Sequence, residues 1–232
     1  MSEFQGQTLP DPLPAEPLAT ANAWLEEATR GRVQPNPNAM VLATVGGGGQ
    51  PSARIVLCKE IVATPGYLVF YTNYESHKGR ELAEHPRAAL LFHWDALHRQ
   101  VRVEGPVVRS PPAESDAYFA SRPWPSRVGA WASAQSRPVA SRAQLLEQLV
   151  AAGRRLGTPA VGPGGDPADA AREVVVPRPP HWGGYRLWAE AVELWVEGAH
   201  RLHDRARFTR TLAPGAAEAF APGPWRAVRL QP

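Results

Sequence analysis

The sequence predicts an α+β protein built on an antiparallel β-barrel, and three observations carry that expectation. Short β-prone runs recur along most of the 232 residues, each bounded by Gly, Pro or Asn turns. The helical segments between them are brief, so many short strands with helices on the outside are expected. No Gly-x-Gly-x-x-Gly lies between a strand and a helix, which argues against a doubly wound dinucleotide-binding sheet.

Taken in order, residues 1–18 read as a flexible, proline-broken arm. Thr20 is placed to cap a first helix that runs through Ala23-Trp24-Leu25-Glu26-Glu27-Ala28 to about Arg30. Pro35 and Pro37 end it, since proline cannot continue a helix. Met40–Val45 and Ala53–Lys59 flank the glycines Gly46–Gly49 and predict a hairpin. Four glycines invite a phosphate-loop reading, but no helix opening on Lys-Ser/Thr follows them. Further strands are expected at Tyr67–Tyr71, Ala88–His93 and Gln100–Val108. Helices are expected near Lys78–Glu84 and Pro112–Ser121, and from Ser141, where Gln144 completes a capping box, to about Leu156. Residues 157–173 are rich in Gly, Pro, Ala and Asp and read as a flexible insertion. Strands return at Gly184–Trp188, Ala191–Val196, Ala206–Thr211 and Trp225–Leu230. Residues 19–232 are therefore expected to form one domain.

Composition narrows the function. Hydrophobic content of 44% and charge of 20% are ordinary for a globular protein. No apolar run approaches the roughly 18 residues a membrane span needs, and Met1 to Pro17 is acidic rather than leader-like. A single cysteine, Cys58, excludes an intramolecular disulfide and fits a reducing, cytoplasmic compartment. The sequence pI is about 9.3, yet net charge is only +3, and the arginines are scattered without a nucleic-acid motif. A small anionic ligand explains that balance as well as nucleic acid does. His200 and His203 lack the further ligands of a metal site.

Of the 25 basic residues only Lys59 and Lys78 are lysines. A retained lysine suggests a site that needs a compact, rotatable ammonium rather than a planar fork. Lys59 ends the run Arg54-Ile55-Val56-Leu57-Cys58-Lys59, in which period-two geometry separates Arg54, Val56 and Cys58 from Ile55, Leu57 and Lys59. A charge at each end of an apolar strand suits a ligand lying along its edge. Lys78 follows Tyr71, Thr72 and His77 where a strand gives way to a helix. In an extended segment Arg201, His203 and Arg205 share a face and bring two guanidiniums and an imidazole to one anion. Tyr118, Arg122 and Ser126 recur every four residues, a helical spacing for three phosphate donors that Pro123 and Pro125 would bend.

These segments, with Gln100, Gln135-Ser136 and Trp195, occur in an order and spacing that resembles the pyridoxamine 5′-phosphate oxidase family, from about Leu13 to Pro232. The resemblance implies an FMN-binding split β-barrel, Greek-key-like with peripheral helices, that forms a homodimer with FMN at the subunit interface. It implies FMN contacts from Arg54, Ile55, Val56, Leu57, Cys58, Lys59, Tyr71, Thr72, His77, Lys78, Gln100, Gln135, Ser136, Trp195 and Arg205. Lys59, Tyr118, Arg122 and Ser126 would hold a substrate phosphate, while Arg201, Leu202 and His203 would cover its ring, with Arg201 and His203 the catalytic pair. The implied reaction oxidises pyridoxine or pyridoxamine 5′-phosphate to pyridoxal 5′-phosphate. Oxygen is the acceptor, hydrogen peroxide is released, and the amine also yields ammonia.

The chain departs from the family pattern in three places. His77 stands where arginine is usual, the N-terminal Arg-x-x-Tyr lid has no counterpart, and glycines 46–49 replace a more polar turn. Pro177-Arg178-Pro179-Pro180 also resembles the flavin oxidases of phenazine biosynthesis, but Lys59, Tyr118, Arg122 and Asp204 fit the vitamin B6 oxidases. A non-catalytic flavin- or pyridoxal-phosphate-binding split barrel is the third reading; it would not need Arg201 and His203.

Overall fold

A computed structural model of the chain describes residues 8–159, 174–215 and 219–232. The contacts gather into two compact units, and the chain passes between them four times, three of these inside single elements. The first unit holds the residues up to Phe70, Glu81–Arg109 and those from Tyr185 on; the second holds Tyr71–Arg80 and Ser110–Gly184.

In the first unit, helix α1 (Pro17–Arg30) precedes β1 (Ala39–Val45) and β2 (Pro51–Leu57). These strands form the expected hairpin, with Val45 opposite Pro51 and Ala39 opposite Leu57. The short β3 (Glu60–Val62) pairs with β4 (Tyr67–Asn73), helix α2 (His77–Glu84) follows, and β5 (Arg87–Trp94) leads into the long β6 (Arg99–Arg109). After β7 (Trp182–Trp188) come β8 (Ala191–Val196), β9 (Asp204–Thr209), the small pair β10 (Leu212–Pro214) and β11 (Phe220–Pro222), and β12 (Arg226–Leu230). The main sheet runs β12-β9-β8-β6-β5-β1-β2, with β7 joining β6 to β4.

β6 divides its pairing. Arg99–Glu104 faces β8, whereas Val107–Arg109 faces β7. The exchange occurs at Gly105, where an added Cβ would stand 1.9 Å from the Trp188 carbonyl oxygen. Only a residue without a side chain permits that approach.

Alternation along these strands sends one set of side chains inward. Leu42, Leu90, Phe92, Trp94, Val103 and Phe208 are fully buried, each contributing about 1.5–3 kcal/mol by leaving water. The opposite face carries a charged row in which Arg102, Glu193 and Arg207 are cross-strand neighbours. Ile55 and Val228 on that face remain 62% and 56% exposed.

The helix start differs from expectation. α1 begins at Pro17 with Glu16 as its cap, accepting from the Leu18 amide, rather than at Thr20. Proline at the first helical position has no amide to leave unsatisfied. Residues 9–16, expected to belong to a flexible arm, are tied down. Leu9 is buried and its amide donates to Asp204 Oδ2 at 2.8 Å, the Pro10 carbonyl accepts from Arg229, and Glu16 accepts from Trp225 Nε1. Residues 1–7 of that arm, and the expected insertion from residue 160 to 173, lie outside the described residues.

The second unit is helical. α3 (Pro112–Ser121), α4 (Trp124–Ala132) and α5 (Arg142–Arg155) surround a core of Phe119, Trp124, Val128, Ala152, Val176 and Trp182. α5 opens as expected, with Ser141 Oγ accepting from the Gln144 amide at 3.0 Å. α4 was not expected: Pro123 and Pro125 occupy its cap and first turn instead of breaking it.

Candidate active site

The residues singled out from sequence divide between the two units. Lys78, Thr72, Gln135, Tyr71, Tyr118, Arg122, Ser126, His77 and Ser136 belong to the second; the Arg54–Lys59 run, Gln100, Trp195, Arg201, Leu202, His203 and Arg205 belong to the first.

In the second unit the chain turns from β4 into α2 through Asn73–Ser76. Asn73 Oδ1 accepts from the Glu75 amide at 2.7 Å, and Ser76 Oγ accepts from the Gly79 amide at the helix start. That turn aims Lys78 inward, where its side chain is buried. Lys78 Nζ donates to Thr72 Oγ1 at 3.1 Å, Ser76 Oγ at 3.3 Å and Gln135 Oε1 at 3.3 Å, all neutral oxygens. A buried ammonium among hydroxyl and amide oxygens beside a helix N-terminus is chemistry suited to a phosphate. It fits the phosphate end of FMN. His77 lies exposed next to it, and Ser136 adopts a left-handed backbone with φ 68°.

The second cluster of this unit is aromatic. Tyr71, Tyr118 and Trp182 form a nearly parallel stack, with ring centroids 4.0 Å apart for the tyrosines and 5.5 Å from Tyr71 to Trp182. Arg122 closes α3 in extended backbone and lays its guanidinium 4.8 Å over the Trp182 ring. Ser126 sits in the first turn of α4. The expected four-residue spacing of Tyr118, Arg122 and Ser126 is thus not one helical face; it spans the junction between two helices. Burial lowers the Arg122 pKa, with Tyr118 opposing and Arg127 adding to the fall. Trp182, which positions both Tyr71 and Arg122, was missed from the sequence; its only signal was its place after the Pro177–Pro180 stretch.

In the first unit, register places His93, Gln100, Trp195 and Arg205 in one cross-strand row. Directly paired residues project to the same side of a sheet, so three expected cofactor residues do converge. Arg205 is held by the buried Glu193, at 2.7 and 3.0 Å, and by the Gln231 carbonyl. Arg54 is held in the same manner by Glu81, Thr44 and Ser52. Both guanidiniums thus have carboxylate partners within the first unit. Cys58 follows β2, buried, its thiol donating to the Glu60 carbonyl at 3.3 Å; burial pushes its pKa up to about 12. Ile55 and Leu57 alternate outward from Arg54 and Val56 as expected, while Lys59 is exposed, its amide donating to Val69.

The extended reading of Arg201–Arg205 does not hold. His200 and Arg201 take positive φ of 56° and 66° in a tight turn, and the strand begins only at Asp204. Gly198 allows that turn, since a Cβ there would stand 2.0 Å from the Leu202 carbonyl oxygen. The Gly198 amide donates to His203 Nδ1 at 3.2 Å, which leaves the ring proton on Nε2. The His203 ring leans on Trp195 at 4.7 Å, while Arg201 and Leu202 project into solvent. The turn thus rests the His203 imidazole on Trp195 of the Gln100–Trp195–Arg205 row and leaves the Arg201 side chain exposed.

Residues 25–156 match the model of the pyridoxamine 5′-phosphate oxidase family, and residues 182–232 match the pyridoxine 5′-phosphate oxidase C-terminal dimerisation region. The chain is 49% identical over 217 residues to a pyridoxine/pyridoxamine 5′-phosphate oxidase of Burkholderia multivorans, covering 94% of this chain and 89% of that protein. It is 45% identical over 227 residues to one of Paracoccus denitrificans, covering 94% and 95%. Among solved structures, PhzG from Burkholderia lata in complex with tetrahydrophenazine-1-carboxylic acid is 30% identical, with TM-score 0.76 over 94% of both chains. An FMN-binding protein of Nostoc punctiforme shares the fold at TM-score 0.62 and 16% identity. The sheet is therefore that of an FMN-binding split barrel, and the chain belongs to the pyridoxamine 5′-phosphate oxidase family.

Proposed function

We propose that this protein is an FMN-dependent oxidase that converts pyridoxine 5′-phosphate or pyridoxamine 5′-phosphate to pyridoxal 5′-phosphate, in vitamin B6 synthesis and salvage. The observation that carries this reading is the pair of clusters in the second unit: buried Lys78 bonded to Thr72, Ser76 and Gln135 at a helix start, and Arg122 beside Tyr118 and Trp182. One suits the cofactor's phosphate and the other the substrate's. The names and identities of the relatives support the same assignment.

Bound FMN supplies a two-electron acceptor, which oxygen regenerates with release of hydrogen peroxide. The alcohol needs nothing further; the amine also consumes a water and releases ammonia. The chain's own groups orient the reactants. In the second unit Thr72, Lys78, Gln135, Ser136, Tyr71 and His77 would hold the cofactor; in the first, Gln100, Trp195 and the Arg54–Lys59 run would contact it. Arg205 orders that lining through its pair with Glu193. Tyr118, Arg122 and Ser126 of the second unit, and Lys59 of the first, would be the groups that hold the substrate phosphate. Arg201 and Leu202 cover the pyridine ring, and His203 presents its Nε2 proton from a ring fixed by Gly198. The half-exposed sheet face with Ile55 and Val228 is the surface a second copy would cover, consistent with the matched dimerisation region. A single buried cysteine suits a cytoplasmic setting.

The test is the visible spectrum of the protein with FMN before and after anaerobic pyridoxine 5′-phosphate. Bleaching that reverses in air is expected. A flavin band that persists would move the assignment to a phenazine-type oxidase, which the PhzG likeness favours, or to a cofactor carrier.

A further inference from the structure

We propose that Glu197 and His98 are positioning residues for His203: their clasp fixes the peptide whose N–H orients the catalytic imidazole. The inference deepens the oxidase reading above and rests on it for the role of that imidazole.

Two turns of the first unit meet here. One joins β5 to β6 through Asp95–Leu97 and His98; the other joins β8 to β9 through residues 197–203. The β6–β8 ladder ends with Arg99 opposite Val196. One step beyond it, the Glu197 amide donates to the His98 carbonyl at 2.9 Å. The same two residues also join through their side chains, where the His98 Nδ1–H donates to Glu197 Oε2. A carboxylate only accepts, so the ring nitrogen is the donor. Glu197 is therefore held at its amide and at its carboxylate by one residue of the facing turn.

The consequence falls on the next peptide. The Glu197 carbonyl and the Gly198 N–H lie in one planar unit, and that N–H donates to His203 Nδ1 at 3.2 Å. Rotating this peptide swings the N–H away, and the ring loses the bond that keeps its proton on Nε2. Trp195 supports the ring at 4.7 Å, a contact that does not choose between the two nitrogens.

The turns themselves have reason to relax. His98, His200 and Arg201 take φ of 54°, 56° and 66°, a left-handed region that non-glycine residues keep only when their surroundings enforce it. The Leu202 amide, donating to the Ala199 carbonyl at 2.9 Å, closes the second turn internally. The clasp ties that turn to the first. Exposure separates this role from a merely structural one. The His98 and Glu197 side chains are 38% and 44% exposed, so water screens their attraction and the pair adds little to global stability. Its removal should lower the melting temperature by no more than about 4 °C.

The experiment compares Glu197→Ala, Glu197→Gln, His98→Gly and His98→Asn with wild type, all supplemented with FMN. Glycine tolerates the left-handed backbone and removes the ring, whereas asparagine tolerates it and keeps an N–H donor. Nitrogen–proton correlation spectra of the histidine rings report the tautomer, with the His203 signal assigned by its loss in His203→Gln. Wild-type His203 is expected to carry its proton on Nε2, and Glu197→Ala and His98→Gly to mix the two tautomers. The same two variants should lower kcat for pyridoxine 5′-phosphate about tenfold, with KM within about twofold because the phosphate contacts are untouched. Glu197→Gln and His98→Asn should recover most of kcat, and the Glu197→Ala/His98→Gly double variant should be no slower than the slower single. Wild-type kcat in Glu197→Ala overturns the proposal, as does a lowered kcat with an unchanged His203 spectrum. A tautomer shift in Glu197→Ala, beside a wild type that leaves FMN oxidised under pyridoxine 5′-phosphate, supports the clasp and removes the oxidase reading.

Discussion

Replacing Glu81 tests how the hairpin of β1 and β2 is held. Its carboxylate accepts from Thr44 Oγ1 at 2.6 Å, from Ser52 Oγ at 2.7 Å and from Arg54 at 3.1 Å. The Arg54 and Glu81 side chains are 21% and 8% exposed, so water screens the pair only in part. Hydrogen bonds to charged groups contribute about 1.5–3 kcal/mol. Arg54 keeps the two hydroxyls and the Leu42 carbonyl as acceptors in Glu81→Ala, so the loss should be about 2–4 kcal/mol. For a chain of this size that corresponds to a fall in Tm of about 5–12 °C. Circular dichroism melts of Glu81→Ala, Arg54→Met and the double variant make the assay. Arg54→Met takes the cation from a buried carboxylate that keeps the Thr44 and Ser52 hydroxyls, whereas the double variant removes both charges, so its loss should undercut the sum of the singles by about 1 kcal/mol or more. Strict additivity, or a Tm within a degree of wild type for Glu81→Ala, would refute the reasoning.

Three further outcomes are expected. Gly105→Ala drives a Cβ to 1.9 Å from the Trp188 carbonyl oxygen and should destabilise by about 3 kcal/mol or more; an unchanged melt would show that β6 turns by other means. Cys58, pushed up to about 12 by burial, should ignore Ellman's reagent at pH 8 until denaturant is added. Because the folded state favours the thiol, its contribution is complete below the ordinary value and is lost as pH rises toward 12; native reaction at the rate of a free thiol contradicts the burial argument. Lys59→Ala and Arg201→Ala should each cripple turnover, the first mainly through KM for the phosphorylated substrate, and wild-type steady-state kinetics in either would remove that assignment.

Strand positions were legible because hydrophobic alternation and turn residues act locally. The Met40–Val45 hairpin, the strand now bounded as Arg87–Trp94 and the Ser141 cap all fall within a residue or two of their expected places. β3, β10 and β11 are three residues each, too short for any period to show. α4 was hidden because proline is read as a breaker, while in the first turn it removes only an amide that has no partner. The site was legible as a list of residues more than as an arrangement. Lys78 was recognisable from its rarity and the strand-to-helix setting, but its partner Gln135 lies 57 positions away. The turn at His200–Arg201 depends on Gly198 accepting the Leu202 carbonyl against its Cα, a steric fact that period-two counting does not contain.

The ties of residues 9–16 bear on the order in which the polypeptide matures. Leu9, Pro10 and Glu16 find their partners 195, 219 and 209 positions further on. A ribosome adding residues one after another leaves the first segment waiting for Asp204, Trp225 and Arg229. Meanwhile the residues of Ser110–Gly184, which draw on one another, have already left the exit tunnel. The helical unit is thus able to settle during translation, whereas the sheet closes only near its end. A tag or truncation that disturbs Arg226–Leu230 should therefore be felt at Leu9 as well, and limited proteolysis of nascent chains would show the early residues still open until the last strand has emerged.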